Sequence, residues 1–139
     1  MGSDISDELR RFIAERAGHR CEYCLPHEND SYSPHQIDHI IVRKHGGLST
    51  PENLAYACLR CKNAWKDSDI GSLDADTDQF VLLFNPRQEK WATHFMLQGL
   101  IIEPLTAEGR VTARLLRFNI DKRVVERRAL MVAGRYPRE

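Results

Sequence analysis

The spacing of apolar residues changes from helical to strand-like within the first third of the chain. Apolar side chains three and four residues apart predict a helix over Asp7–Ala17, with Ser6 as its N-terminal cap and Gly18 at its end. A β-branched run then predicts a strand at Gln36–Val42. Further elements are expected after it: a loop over residues 43–52, a strand at Leu54–Ala57 and a helix from about Cys61 to Lys66.

Beyond these elements the pattern predicts a longer region of small elements. An acidic spacer, Asp67–Asp78, carries five Asp and no basic residue. A buried strand or turn is predicted at Gln79–Pro86, a strand at Gly99–Pro104, a helix from Thr106 to about Arg117, and a last helix from Asn119 or Asp121 to near Gly134. This mixture of short strands and helices predicts an α+β fold.

Length and composition are those of one globular domain. The chain has 139 residues, of which 42% are hydrophobic and 29% charged, so it can bury a core of its own. We expect one domain over residues 1–139, with a core at 18–70 and a C-terminal extension at 79–139. No apolar run is long enough to span a bilayer, and Met1–Arg20 lacks the layout of a secretion signal, so the expected location is the cytoplasm.

The distribution of charged residues along the chain is more informative about possible partners than the net charge. Acidic and basic residues balance at 20 each, so the net charge does not indicate an anionic partner. Ile40–Lys66 nevertheless has five Lys or Arg against one Glu, and Pro86–Glu139 has eleven against six acids. Such basic zones are compatible with nucleic-acid binding, although charge runs are also common on solvated surfaces.

Four cysteines form two C-x-x-C pairs with thirty-three residues between them. This spacing is typical of a structural zinc site with four thiolate ligands, in which each pair supplies two sulfur atoms from one tight turn. A redox function would need only one pair, and disulfides are rare in a reducing compartment, so both alternatives fit less well. The predicted ligands are Cys21, Cys24, Cys58 and Cys61.

A carboxylate and an imidazole, Asp38 and His39, lie side by side in the predicted apolar strand. Neighbouring strand residues point to opposite faces, so a local bend or a site at the strand edge is needed to bring both into one site. We interpret Asp38 as a ligand of a hard divalent cation and His39 as the base that deprotonates water. The alternative is a hydrogen-bonded strand histidine beside an aspartate that caps the loop.

Several stretches together resemble the HNH endonuclease family. They are Cys21-Glu22-Tyr23-Cys24, Ile37-Asp38-His39-Ile40-Ile41, Lys44-His45-Gly46-Gly47, Asn53-Leu54 and Cys58-Leu59-Arg60-Cys61, followed by Lys66. The likeness runs from Arg16 to about Asn119. It implies a ββα-metal core, in which a β-hairpin and a helix hold one metal ion beside the zinc site.

The resemblance also implies residue roles. Asp38 would be the first metal ligand, His39 the general base, and Asn53 the residue that holds the long loop so that the base points correctly. The implied function is hydrolysis of DNA phosphodiester bonds with Mg²⁺ or Mn²⁺. Basic side chains near the site are predicted to bind phosphate, namely Arg43, Lys44 and Lys66.

The sequence departs from the family pattern directly after the last cysteine. Family members usually have His or Asn there, whereas this chain has Lys62, whose ammonium group cannot ligate a cation. Asn63 and Lys66 restore the Asn-x-x-Lys pattern one residue later, which favours a one-residue insertion, and we predict Asn63 as the second metal ligand. The alternatives are a zinc-stabilised nucleic-acid-binding module with a decayed site and, less favoured, a zinc ribbon for protein contacts.

Overall fold

Helices and short antiparallel strands alternate along the chain, which confirms the predicted α+β fold. The structure, a computed structural model, describes residues 5–66 and 70–137, and at residues 65 and 66 it describes the backbone alone. Within this part of the chain the strands form three separate two-stranded sheets, and no helix is long and apolar enough to cross a membrane.

The N-terminal helix α1, Asp7–Arg16, lies where the sequence predicts it. Ser6 caps it by accepting a hydrogen bond from the backbone N–H of Leu9 at 3.1 Å. Gly18 follows with a φ of +64°, a conformation that glycine adopts without steric cost. The buried face of the helix packs on the first hairpin.

That hairpin joins β1, Gln36–His39, to β2, Leu54–Ala57, in antiparallel register. Asp38 lies opposite Ala55, and His39 lies opposite Leu54. All four residues of β2 are buried, because α1 covers one face of the hairpin and the C-terminal extension covers the other. The hairpin therefore places Asp38 inside the molecule and His39 at the point where the strand ends.

The strand β1 is shorter than the predicted Gln36–Val42, and this prediction was wrong at its C-terminal end. The backbone N–H and C=O of Ile41 bind the side chain of Asn53 instead of another strand. The N–H of Ile40 donates to the backbone carbonyl of Asn53 at 2.8 Å. The chain bends here, directly after His39.

The helix after β2 begins two residues earlier than predicted. Helix α2, Leu59–Cys61, continues into a π-helical turn over Lys62–Lys66, which is kinked at Ala64 (φ −68°, ψ −105°). A π-turn is wider than an α-helical turn and takes up about one additional residue. This is the local geometry that a one-residue insertion after Cys61 would require.

Part of the predicted acidic spacer is a strand. β3, Gly71–Leu73, pairs with β4, Phe80–Leu82. In the turn between them Asp74 is buried, and its carboxylate binds Nε of Arg110 at 2.8 Å and Nη2 at 3.0 Å. The acidic composition concealed this strand, because the charge that looks solvated in the sequence is neutralised by a distant arginine.

The C-terminal extension contains a short helix, a third hairpin and two longer helices. Thr106 caps the first of these longer helices, as predicted, and its hydroxyl accepts from the N–H of Gly109 at 3.0 Å. The bounds of the elements are α3, Trp91–His94, β5, Phe95–Gln98, β6, Ile101–Pro104, α4, Ala107–Leu115, and α5, Asp121–Val132.

Two groups of buried side chains lie on either side of β2. The smaller group joins α1 to one face of the hairpin and includes Ile13, Leu54 and Tyr56. The larger group combines the four cysteines with aromatic and aliphatic residues of the extension, such as Phe95 and Phe118. The cysteine cluster thus shares a core with the C-terminal helices.

Candidate active site and metal centre

The four cysteine sulfur atoms converge in the interior. All four lie within 4.8 Å of one another, and the four residues are at least 94% buried. The Sγ atoms of Cys21 and Cys61 are 3.9 Å apart, and those of Cys24 and Cys58 are 3.5 Å apart. Tetrahedral zinc with Zn–S bonds of about 2.3 Å separates its sulfur ligands by about 3.8 Å. The cluster therefore fits a structural zinc site.

Backbone amides and one arginine surround the sulfur atoms. The N–H of Cys24 donates to Sγ of Cys21 at 3.4 Å, and the N–H of Cys61 donates to Sγ of Cys58 at 3.5 Å. Arg123, which is 6% exposed, directs Nη2 to Sγ of Cys61 at 3.4 Å. A zinc ion with four thiolates keeps a net negative charge, and the guanidinium of Arg123 offsets part of it in the core.

The surroundings of Cys58 favour its thiolate form, whereas burial raises the pKa of the Cys24 and Cys61 thiols well above the ordinary value. Hydrogen bonds from the other three sulfur atoms, together with the positive charge of Arg123, hold the pKa of the Cys58 thiol well below its ordinary value. Burial lowers the pKa of Arg123, but the negative charge of the nearby cysteines more than offsets this and raises it. The guanidinium therefore stays charged beside the sulfur atoms.

Asp38 lies 2% exposed in the middle of the hairpin. The hydroxyl of Tyr23 donates to its Oδ2 at 3.0 Å. Burial, and then the negative charge of Asp38, raises the pKa of the Tyr23 hydroxyl well above its usual value, so this hydroxyl remains a neutral donor. The carboxylate is thus held in one orientation by the knuckle that carries Cys21 and Cys24.

His39 is half-buried at the end of β1, and its side chain leaves the strand on the face opposite that of Asp38. Its Nε2 lies 2.9 Å from the hydroxyl oxygen of Ser49. When Nε2 carries the proton and donates to Ser49, Nδ1 carries the lone pair, which is the tautomer of a general base. Ser49 comes from the loop that follows β1, so the loop conformation sets the ring orientation.

Asn53 closes that loop with its side-chain amide. Oδ1 accepts from the N–H of Ile41 at 2.9 Å, and Nδ2 donates to the carbonyls of Ile41 at 3.0 Å and Leu48 at 2.9 Å. These bonds draw the two ends of the loop together beside His39. The loop between them carries Ser49.

The two neighbouring glycines of the loop serve different purposes. Gly46 has a φ of +93°, in the left-handed region that glycine adopts without steric cost. Gly47 instead lies against backbone: a Cβ there would be 1.6 Å from the carbonyl oxygen of Ile41 and 2.8 Å from Nδ2 of Asn53. A side chain at Gly47 is therefore incompatible with the Asn53–Ile41 bonds.

Lys62, rather than Asn63, is the residue of the helical turn that contacts β1. Its Nζ donates to the backbone carbonyl of Ile37 at 2.9 Å, one residue before Asp38. The side chain of Asn63 is exposed and borders a groove of about 850 Å³ beside helix α5, next to Arg60 and Arg117. The structure therefore brings an ammonium group to the strand, and the assignment of Asn63 as a metal ligand stays a prediction.

The predicted phosphate-binding residues lie close to the loop. Arg43 and Lys44 are exposed in a 3₁₀ turn, Arg43–His45, which begins four residues beyond the end of β1. The side chain of Lys66 lies outside the described part of the structure. The side chains of Arg43 and Lys44 are thus open to solvent in the loop after β1, and phosphate binding by them stays a prediction.

Sequence reasoning did not find four residues that support the site. Tyr23 and Ser49 contact Asp38 and His39, Gly47 allows the close packing of the loop, and Arg123 contacts the thiolates. The sequence gives one indication that Tyr23 is important, because this residue lies between two predicted zinc ligands. The sequence gives no indication for Arg123, because this residue lies sixty-two positions after Cys61 and a basic helix normally faces water.

The hairpin, the helical turn and the thiolate cluster together define a zinc-knuckle ββα unit. Residues 21–67 match the family model described as HNH endonuclease, which confirms the resemblance over this segment. A match to this family model indicates a nuclease or another function on nucleic acid. Likeness of the remaining chain to this family stays a prediction.

Two further comparisons found no related protein. Neither the search of curated proteins nor the search of solved structures returned a significant match.

Proposed function

We propose that this protein is an endonuclease that hydrolyses DNA phosphodiester bonds, with His39 as the general base. The observation that carries this proposal is the position of His39, which ends β1 beside a loop that Asn53 closes and Ser49 links to the imidazole. A purely structural histidine would not require a tightly closed, glycine-dependent loop next to it. The match of residues 21–67 to the HNH family supports the same function.

In the proposed reaction His39 acts on water. Nδ1 takes a proton from a water molecule as the water oxygen forms its bond to phosphorus, and the bond from phosphorus to the leaving sugar oxygen breaks. The imidazolium then gives its proton to solvent, and the leaving sugar oxygen takes up a proton from a water molecule. Ser49 keeps the ring in the required orientation, and Arg43 and Lys44 would bind the phosphates that flank the cleaved bond.

The carboxylate of Asp38 on β1 is an oxygen donor of the kind that a hard cation prefers. Mg²⁺ commonly takes one or two protein oxygen ligands and completes its shell with water and substrate phosphate. Asp38 would supply a carboxylate oxygen and Asn63 an amide oxygen, and the bound ion would act as a Lewis acid on the phosphate and stabilise the leaving oxygen. Tyr23 would orient Asp38 for this purpose.

A plasmid-nicking assay tests the proposal. Zinc-loaded protein freed of other metals should nick supercoiled DNA only after Mg²⁺ or Mn²⁺ is added. His39→Ala should reduce the rate by about 10²–10⁴-fold, the usual contribution of a general base. His27→Ala serves as the control, because His27 is a half-buried histidine that caps the N-terminal 3₁₀ turn, Glu28–Asp30. Equal rates for wild type and His39→Ala would refute the proposal.

A second function has one observation in its favour. The Nζ atom of Lys62 lies on the strand next to Asp38, and a positive charge there opposes a bound cation. A protein with this arrangement could bind DNA through its basic surface without cutting it. Fluorescence anisotropy with labelled duplex DNA, combined with the nicking assay, separates the two: binding without cleavage in either metal supports the second function.

A further inference from the structure

One hydroxyl group connects the zinc knuckle to the active-site strand. Tyr23 lies between the zinc ligands Cys21 and Cys24, and its side chain is fully buried. Its Oη donates to Oδ2 of Asp38 at 3.0 Å. A single residue therefore joins the backbone of the thiolate cluster to the carboxylate that would hold the second metal ion.

The direction of this hydroxyl is fixed from several sides. Nε1 of Trp91 donates to the backbone carbonyl of Tyr23 at 2.8 Å. The Tyr23 ring packs edge-on against Phe84, with ring centroids 6.4 Å apart. The neighbouring N–H of Glu22 donates to the carbonyl of Tyr56 on β2 at 2.9 Å. With backbone and ring both held, the hydroxyl has little freedom to leave Asp38.

We propose that Tyr23 is a positioning residue for Asp38, and that the zinc knuckle through Tyr23 sets the affinity of the divalent-cation site. This inference rests on the proposed function. A neutral hydroxyl that binds one carboxylate oxygen leaves the charge of Asp38 intact and restricts its rotation, so a cation meets an oriented ligand. Hydrogen-bond partners of metal ligands commonly contribute 10- to 100-fold to metal affinity.

The chain contains a matched pair of tyrosines that isolates this effect. Tyr56 is also buried, at 7% exposure, and its hydroxyl donates to a carboxylate, Oε1 of Glu28, at 2.6 Å. Glu28 lies in the N-terminal 3₁₀ turn and belongs to neither proposed metal site. Each Tyr→Phe substitution removes one buried hydroxyl, Tyr23 from the larger core group and Tyr56 from the smaller one, but only Tyr23→Phe removes a hydrogen bond from Asp38.

The test measures Mn²⁺ binding by electron paramagnetic resonance on zinc-loaded protein without DNA. Zinc content is determined for each variant, and it should remain at one ion per chain. Tyr23→Phe should raise the Kd for Mn²⁺ by about 10- to 100-fold, whereas Tyr56→Phe should keep the wild-type Kd. Equal Kd values for wild type, Tyr23→Phe and Tyr56→Phe overturn the inference.

Two more variants make every outcome decisive. Asp38→Asn reports on the site itself: if it binds Mn²⁺ like wild type, or if wild type binds none, the proposed metal site fails and the inference with it. If Asp38→Asn weakens binding and Tyr23→Phe does not, the inference alone fails. Should Tyr23→Phe not fold, Trp91→Phe decides, since a rise in Kd of about threefold or more supports the inference and a wild-type Kd overturns it.

Discussion

Asn53 binds both backbone groups of Ile41, at 2.9 Å through Oδ1 and at 3.0 Å through Nδ2. The amide side chain thereby takes the place of a neighbouring strand and ends β1 directly after His39. Asn53 makes a third hydrogen bond, from Nδ2 to the backbone carbonyl of Leu48 at 2.9 Å, and this bond holds the C-terminal part of the loop. One residue therefore defines both the end of the strand and the shape of the loop that contacts the proposed base.

Asn53→Ala should lower both stability and cleavage. It removes three hydrogen bonds in a half-buried region, so we expect the free energy of unfolding to fall by about 2–3 kcal/mol. Nicking per folded molecule should fall by about tenfold or more, because His39 loses the loop that orients it. Urea titration and single-turnover nicking at a temperature where the variant is folded measure the two effects.

Asn119 provides the control, because it makes the same pair of bonds to Ile102 in the extension. Oδ1 accepts from the N–H of Ile102 and Nδ2 donates to its carbonyl, both at 2.9 Å. Asn119→Ala should lose comparable stability and keep the wild-type nicking rate per folded molecule. Equal losses of activity in the two variants would mean that Asn53 contributes to stability only and does not orient His39.

Gly47→Ala should disrupt the same loop by a different route. The new Cβ would lie 1.6 Å from the carbonyl oxygen of Ile41, which requires the loop to move away from β1. We expect a loss of about 2–4 kcal/mol in the free energy of unfolding, together with a strong loss of nicking. Gly99→Ala is the control, since Gly99 has a positive φ but no atom within 4 Å of its Cβ position. It should cost about 1 kcal/mol and leave nicking unchanged.

The parts of the fold that follow from local pattern could be predicted from the sequence. The helix over Asp7–Arg16, the strand Leu54–Ala57 and the capped helix after Thr106 have periodic apolar residues and recognisable caps. The thiolate cluster follows from cysteine spacing alone. In the helices and the strand the signals lie within a few residues of one another, and in the thiolate cluster each C-x-x-C pair is itself a local signal.

The parts that depend on distant contacts could not be predicted. The end of β1 is set by Asn53, twelve residues away, and strand β3 is stabilised through the ion pair of Asp74 with Arg110, thirty-six residues away. Lys62 is the clearest example of an unpredictable contact. Its charge indicates in the sequence that it cannot ligate a metal ion, but its hydrogen bond to the Ile37 carbonyl is visible only in the structure.

Arg123 should determine how firmly zinc is held. Arg123→Met removes the guanidinium that lies 3.4 Å from Sγ of Cys61 and leaves the thiolate charge without its buried counterion. We expect zinc to dissociate about 10- to 100-fold more readily, measured by competition with a chromogenic chelator. Arg127→Met is the control, because Arg127 is equally buried in α5 but binds the carbonyls of Leu100 and Phe118 instead of sulfur. Zinc retention equal in the two variants would contradict a direct effect on the thiolates.

Ser49→Ala should slow cleavage without weakening DNA binding. The serine hydroxyl lies 2.9 Å from Nε2 of His39 and holds the imidazole ring in one orientation. Without this hydrogen bond the ring can rotate, and we expect the rate of the chemical step to fall by about tenfold. Single-turnover nicking at saturating protein measures the rate, and anisotropy with labelled duplex measures the Kd. A lower rate explained entirely by a higher Kd would show that Ser49 contacts DNA instead. Thr50→Ala, in the same loop, is the control.

Deletion of Lys62 tests whether the extra residue in the helical turn limits the enzyme. The deletion places Asn63 directly after Cys61, removes the ammonium group from β1 and shortens the π-turn over Lys62–Lys66 to an α-helical one. We expect tighter Mn²⁺ binding and faster nicking than in wild type, because an amide oxygen then takes the position that faces the strand.

Two substitutions separate the effect of register from the effect of charge. Lys62→Ala removes the ammonium group but leaves Asn63 where it is, so it should relieve the repulsion of the cation without supplying a ligand. Asn63→Ala in the deletion background should abolish the gain. If the deletion variant keeps its zinc and folds, yet nicks DNA no faster than Lys62→Ala, the charge of Lys62 matters and Asn63 has no place at the metal. A folded deletion variant slower than wild type would instead give Lys62 itself a productive role at the strand, beside Asp38.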